Sequence, residues 1–380
     1  MAGIYIHIPF CKQACYYCNF HFSTTLNLKD EMMIALVKEI GISSTSLLND
    51  KNQKEIIETI YFGGGTPSLL TAAEIELLLN AVKNNFPISD NTEITIEVNP
   101  DDISMEKLSS WKNSGINRLS IGIQSFKEKD LTWMNRAHNT SQALESIALA
   151  KEAGFDNFSV DLIFGTPGLA EEEWKLNVDT VINSGATHIA CYALTVEPNT
   201  ALQKMISLKK KENINSDEQA NQFLLLMKWM KEAGYEHYEI SNFAKPGFRS
   251  RHNSSYWSGK NYLGIGPSAH SYDGKSRRWN IANNTLYLQS IQNNVIPFEE
   301  EKLTESQKLN EYIMTSVRTM EGLNLRTVED QFSLKERSRI ELAAAGYLER
   351  KLLTQKNEIF VLTEEGKLFA DGIASDFFTD

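Results

Sequence analysis

Ile4, Ile6 and Ile8 alternate along the first few residues, a period of two that predicts a short strand. Residues 29–46 carry a helical pattern. From there the two periodicities take turns. Strands are predicted at Ile57–Phe62, Glu93–Val98, Arg118–Ile123, Asn157–Phe164 and His188–Val196. Helices are predicted between or after them at about 71–84, 104–113, 127–134, 140–153, 171–184 and 216–233. Six strand-then-helix units in a row imply a parallel sheet with right-handed crossovers. Such a sheet is either open and doubly wound or a barrel. The strand ends decide. A cysteine loop follows the first strand and Gly63–Pro67 the second. Glu97 and Asn99 lie at the end of the third, Gln124 closes the fourth, and Asp161 and Tyr192 lie in the fifth and sixth. Polar chemistry gathered at one end of successive strands is how a barrel builds its site. The expected fold is therefore α/β, a partial (β/α)6 barrel.

The pattern changes after about residue 235. Tyr235–Ala244 reads as one more strand. Residues 245–280 are rich in Gly, Ser, Asn, His and aromatics and read as irregular. A helix follows at about 285–293. From about 303 onward, short helices alternate with a strand pair at Tyr347–Leu353 and Glu358–Leu362, resembling a small winged-helix-like α+β module. The expected divisions are 1–240 for the barrel, 241–300 for an extension, and 301–380 for the C-terminal domain.

The 380 residues carry 38 basic and 49 acidic side chains, a net charge of −11. That balance argues against broad binding to nucleic acid or an anionic bilayer. Lys209–Lys211 reads as a solvated loop. No apolar run approaches a membrane span. The N-terminus reads as a strand, not a signal peptide. A cytoplasmic protein is expected.

Three of the 4 cysteines, Cys11, Cys15 and Cys18, fall within eight residues. Clustering of this kind points to metal binding in a reducing compartment, not to a disulfide framework. Three thiolates in one short loop suit three irons of a [4Fe–4S] cluster, and soft ligands favour iron–sulfur over hard metals. The fourth iron would be open to the amino and carboxylate groups of S-adenosylmethionine (SAM), which carries the radical chemistry. The alternative is zinc, with His21 completing a Cys3His set. Cys191 lies within an apolar strand and reads as a small buried hydrophobe.

The sequence resembles the radical-SAM family of oxygen-independent coproporphyrinogen III oxidases and the related heme chaperones. The resemblance rests on YIHIPFCKQACYYCNF (Tyr5–Phe20), YFGGGTPS (Tyr61–Ser68), Glu97–Asp101, GIQSF (Gly122–Phe126), NRAH (Asn135–His138) and DLIFGTP (Asp161–Pro167). RHNSSYW (Arg251–Trp257) and GIGPSAHSY (Gly264–Tyr272) extend it over nearly the whole chain. It implies that Cys11, Cys15 and Cys18 hold the cluster. It implies that Gly64, Gly65 and Thr66 of the glycine turn contact SAM, with Glu97, Gln124, Arg136 and Asp161. Tyr5, Tyr17, Ala193 and His270 match further SAM-lining positions. For Glu97, Gln124, Arg136 and Asp161 the alternative is a structural role, such as an Arg136–Asp161 salt bridge.

Two departures separate the chain from the oxidases. They carry a further cysteine two residues after the third, where this chain has Phe20, and they carry an N-terminal extension, whereas strand one here starts at residue 3. Both match the heme chaperones. On that branch His252 is expected as an axial heme ligand, with Tyr256 and Trp257 packed on the macrocycle and Arg251 beside a propionate. The expected function is a heme chaperone that binds a [4Fe–4S] cluster, SAM and heme and passes heme to acceptor hemoproteins, for which respiratory-chain enzymes are the family expectation. The competing reading is oxidative decarboxylation of coproporphyrinogen III to vinyls in porphyrin biosynthesis.

Overall fold

The computed structural model describes residues 2–49 and 51–379. Six parallel strands form the centre: β1 Ala2–Ile8, β2 Ile57–Gly64, β3 Ile88–Val98, β4 Arg118–Gln124, β5 Phe158–Phe164 and β6 His188–Ala193. They lie side by side in chain order with no reversal. A doubly wound sheet would reverse at a switch point; this one does not. Among the described residues no pairing joins β6 to β1, so the barrel stays open.

The edges are extended by later segments. β7 Glu236–Glu239 and β8 Asn242–Ala244 form a hairpin, and β8 runs antiparallel to β6. At the other edge, β9 Tyr262–Ile265 pairs parallel with β1. β10 His270–Tyr272, β11 Ser276–Asn280 and β12 Phe298–Lys302 follow it antiparallel.

Period-two alternation sorts the central side chains. Ile4, Ile6 and Ile8 are 0% exposed and join the core beneath the surrounding helices. Gly3, Tyr5 and His7 face the opposite way, into the barrel. Each fully buried isoleucine contributes about 1.5–3 kcal/mol. The helices start where their sequences allow it. Thr71 caps Ala72–Asn85 in a capping box with Glu74, and Asn139 caps Thr140–Glu152 in another with Gln142.

Several expected elements change on folding. Tyr235–Ala244 is two strands, because the chain turns at Ile240–Ser241. The expected strand His188–Val196 stops at Ala193, where the Leu194 N–H makes the last ladder bond to the Phe164 carbonyl. The segment 245–280 is not irregular: it contains helix Arg251–Trp257 and three strands. Helix Leu334–Glu349 runs through Tyr347, so the expected strand begins only at Leu353. The alanine run Ala343–Ala345 favours helix there.

The C-terminal part has its own core, from Leu309 to Phe377. Its sheet is three antiparallel strands, β13 Leu323–Asn324, β14 Leu353–Lys356 and β15 Ile359–Leu362, with β15 in the middle. Arg249 joins it to the barrel by pairing with both Glu236 and Glu321. No helix among the described residues is long and apolar enough to cross a membrane.

Candidate functional site

A cavity of about 600 Å³ opens at the C-terminal ends of the central strands. Cys11, Cys15 and Cys18 sit at its rim, on the loop after β1. Two glycines hold that loop against the end of β2. The Gly65 N–H donates to the Ile8 carbonyl at 2.9 Å. A Cβ on Gly65 would lie 2.5 Å from the Phe10 carbonyl oxygen, so only glycine fits. Gly64 has φ +109°, and a Cβ there would meet the His7 ring at 2.7 Å.

Arg136 ties the loop to the barrel. Its Nη2 donates to Asn99 Oδ1 at 2.9 Å and to the Gly122 carbonyl at 2.7 Å, and its Nη1 reaches Cys15 Sγ at 3.4 Å. The Arg136–Asp161 salt bridge considered from sequence does not form: Arg136 turns Nη1 and Nη2 to Asn99, Gly122 and the loop, leaving Nε unbonded, and Asp161 accepts instead from Ser120 and Ser159. The Cys15 and Tyr17 side chains beside Arg136 raise its affinity for its proton against the cost of burial.

Glu97 accepts from Tyr61 Oη at 2.9 Å and from the Gly64 N–H at 3.3 Å. Burial pushes its carboxyl up to about 7; the two hydrogen bonds oppose the rise and the charge of Asp161 adds to it. Asp161 is pushed up to about 6, again by burial, opposed by Ser159, the Arg118 charge and Ser120. Gln124 sits at φ +69° where the β4–β5 register shifts, and lines the same cavity. A positive φ on a residue other than glycine is unusual and gathers at ligand sites.

The cavity therefore brings together Cys11, Cys15, Cys18, Tyr17, Gly64, Gly65, Thr66, Glu97, Gln124, Arg136, Asp161 and Ala193. Two expected residues stand apart. Tyr5 lies below the cavity, stacked on Tyr61 with 6.0 Å between rings and bonded to His7. His270 is exposed on β10, stacks on Trp279 and is not among the residues lining the cavity. Sequence reasoning took Asn99 only as a polar strand end and missed Ser120, Ser159, His188, Arg118 and Asn242, all lining the cavity. Three of them, Arg118, Ser120 and Ser159, are inward-facing polar residues that alternate with apolar ones in their strands, Ser159 two residues before Asp161, and that alternation was the available signal.

The donor set tests the cofactor. Among the described residues, no three of His, Cys, Asp and Glu lie close enough to hold a single metal ion. His21 is committed elsewhere, bonding Asn284 Oδ1 at 2.7 Å. Both facts oppose the zinc set. In a [4Fe–4S] cluster each thiolate binds a different iron, so the sulfurs stand further apart than around one ion. Without metal, burial pushes the Cys11 thiol up to about 11. Cys191 packs in the core on the other side of the sheet and is no fourth ligand.

The expected heme residues occupy helix Arg251–Trp257, not a loop. His252 is 1% exposed, with Nδ1 bonded to Thr59 Oγ1 and Nε2 to Tyr256 Oη, both at 2.8 Å. It stacks on Tyr61 at 4.9 Å. Burial lowers its pKa to about 3, so the imidazole is neutral. Trp257 lines a second cavity, about 620 Å³, between this helix and the C-terminal part. Arg251 donates to the Asn91 carbonyl.

Comparison with known proteins agrees with this geometry. The Radical SAM superfamily model matches residues 5–181, and the HemN C-terminal domain model matches residues 303–369. The chain is 31% identical to "Heme chaperone HemW" of Bacillus subtilis (strain 168) over 380 residues, covering 99% of each. It is 32% identical to the protein of the same name from Mycobacterium tuberculosis (strain CDC 1551 / Oshkosh), over 98% of this chain and 93% of that one. Coproporphyrinogen III oxidase (HemN) from Escherichia coli, a radical SAM enzyme of solved structure, shares the fold with a TM-score of 0.85 at 22% identity, covering 100% of this chain and 90% of that one. A [4Fe–4S] cluster and SAM follow from the superfamily, and the cavity supplies the thiols and the polar lining to hold them. The chain belongs to the radical SAM superfamily and, within it, to the family whose members bear the name heme chaperone HemW.

Proposed function

We propose that this protein is a heme chaperone: it binds heme and transfers it to acceptor hemoproteins. The observation that carries this reading is similarity along the full chain to relatives that bear that name. Phe20 supports it, 68% exposed at the cavity where the oxidases have a cysteine. His252 supports it as well. A neutral imidazole needs no deprotonation before it ligates iron. Nδ1 held by Thr59 fixes the ring, and Nε2 becomes available once the Tyr256 hydroxyl turns away. Tyr256 and Trp257 are the proposed macrocycle contacts.

In the cluster cavity, Cys11, Cys15 and Cys18 are proposed as the iron ligands, and Gly64, Gly65, Thr66, Glu97, Gln124, Arg136 and Asp161 as the SAM contacts. With both groups bound, the cluster supplies an electron for reductive cleavage of SAM. The protein's part is to place the sulfonium and exclude water. Glu97 and Asp161, both half-buried in the cavity wall, offer carboxyl groups to a cationic ligand. Three thiols kept free for iron suit the cytoplasm.

The oxidase reading is tested directly. Reconstituted protein is given SAM, a strong reductant and coproporphyrinogen III without oxygen, beside an active oxidase. No protoporphyrinogen is expected. Product at a rate comparable to the control would overturn the chaperone reading in favour of porphyrin synthesis.

A further inference from the structure

Arg118 opens β4 and is 1% exposed, one of the largest fully buried side chains of the molecule. It shares the inward parity of Ser120 and Gly122 and lines the cluster cavity. Its Nε and Nη2 have no hydrogen-bond partner. These two atoms are one edge of the guanidinium. They present two parallel N–H donors, the geometry that takes a carboxylate bidentately.

A buried guanidinium with two unbonded N–H groups is costly, even with the Asp161 carboxyl close enough to feel its charge. The nearby carboxylates are already engaged. Asp161 accepts from Ser120 and Ser159, and Glu93 accepts from the backbone N–H groups of Arg251 and His252. The Asn242 Oδ1, lining the same cavity, also lacks a partner. The floor of the barrel thus holds unmet polar atoms of both kinds.

We propose that Arg118 binds the carboxylate of an organic ligand held inside the barrel, taken bidentately through Nε and Nη2. Resting on the heme reading, that carboxylate is a tetrapyrrole propionate. Position argues against the SAM carboxylate. Arg118 is rooted six residues before Gln124 on β4, roughly 20 Å along the strand at about 3.3 Å per residue, whereas the cysteine loop and glycine turn lie at the Gln124 end. Charge argues against a phosphate. Glu97 and Asp161 line the same cavity and would repel a second negative charge.

The test compares the wild-type chain with Arg118→Met and Arg118→Lys, titrated anaerobically with hemin, hemin dimethyl ester and SAM. Hemin should bind Arg118→Met about tenfold to a hundredfold more weakly, the range of a lost charge-assisted hydrogen-bond pair. Arg118→Lys keeps the charge and the fold, loses the fork, and should fall in between. The ester should bind wild type and Arg118→Met alike, and SAM affinity should not move. An equal loss for hemin and its ester, an unchanged hemin affinity, or a loss confined to SAM would each overturn the proposal. If wild type binds neither porphyrin, the heme reading fails on its own. The site is then decided by titrating propionate into protein with ¹⁵N-labelled arginine. A shifting Nε–H signal that is missing in Arg118→Lys supports it, and no shifting signal overturns it.

Discussion

Gly65 has no room for a side chain, since the obstacle at 2.5 Å is backbone and cannot swing aside. Gly65→Ala should cost about 1–3 kcal/mol by forcing the cysteine loop away from β2, and cluster content after reconstitution should drop with it. A variant with normal melting and full iron content would contradict this. Cys15→Ser should lose the visible absorption of the cluster, because two thiolates do not hold it. Undiminished iron and sulfide would remove Cys15 from the ligand set. At His252 two substitutions separate heme binding from packing. His252→Ala should weaken hemin and shift its Soret band, whereas Tyr256→Phe frees Nε2 and should leave His252 able to ligate. Equal losses in both would point to damaged packing alone.

Buried histidines also set the pH response. Burial lowers His7 and His138 to about 4 and His237 and His252 to about 3, against an ordinary 6.5. Below pH 6.5 the unfolded chain takes up protons that the folded chain refuses, so stability falls as pH drops toward 4. Glu97, pushed up to about 7, works the other way: the folded chain holds its proton where the unfolded chain has lost it. Melts of the ligand-free chain should fall from pH 7 to pH 5, and more steeply in Glu97→Gln. A shallower fall in the variant would contradict the assignment. Little of this was legible in the sequence. The residue types and spacing exposed the cysteines, the glycine turn and Glu97, while Arg136 came only through the resemblance. They did not expose the burial of His252, which depends on Thr59 from another strand and on the helix around it.

Among the elements, one buried carboxylate of helix Lys29–Ile42 joins it to three later segments. Glu39 is 1% exposed and accepts from the Gly266 N–H, Asn280 Nδ2 and Tyr287 Oη, joining that helix to the segment after β9, to β11 and to helix Asn284–Gln292. Glu39→Ala should cost about 3 kcal/mol, since it strands three buried donors. A calorimetric loss well under 1 kcal/mol would show that water replaces the carboxylate. Periodicity revealed the six central strands because each has a short apolar stretch flanked by turns, although β3 begins at Ile88, before the expected Glu93. It failed from 245 to 280, where a seven-residue helix and strands of three to five residues are too short for a period to register. It also failed at Tyr347, where helix propensity carried the chain past the expected strand start.

At the scale of the molecule, strand order decides what the chain can hold. Six parallel strands in sequence leave the barrel open between β1 and β6, and their ends surround one deep polar cavity. The C-terminal part closes the opposite end beside helix Arg251–Trp257, so the neutral His252 lies between the cluster cavity and the second cavity. The most direct test is anaerobic heme transfer. Protein with an intact cluster is loaded with one equivalent of hemin, freed of excess, and mixed with an apo-hemoprotein while the Soret band is followed. A heme chaperone should bind the hemin, give it up to the acceptor, and restore the acceptor's spectrum and activity, with His252→Ala impaired in loading. Failure to bind hemin with the cluster intact, or binding without transfer to any acceptor tried, would contradict that account.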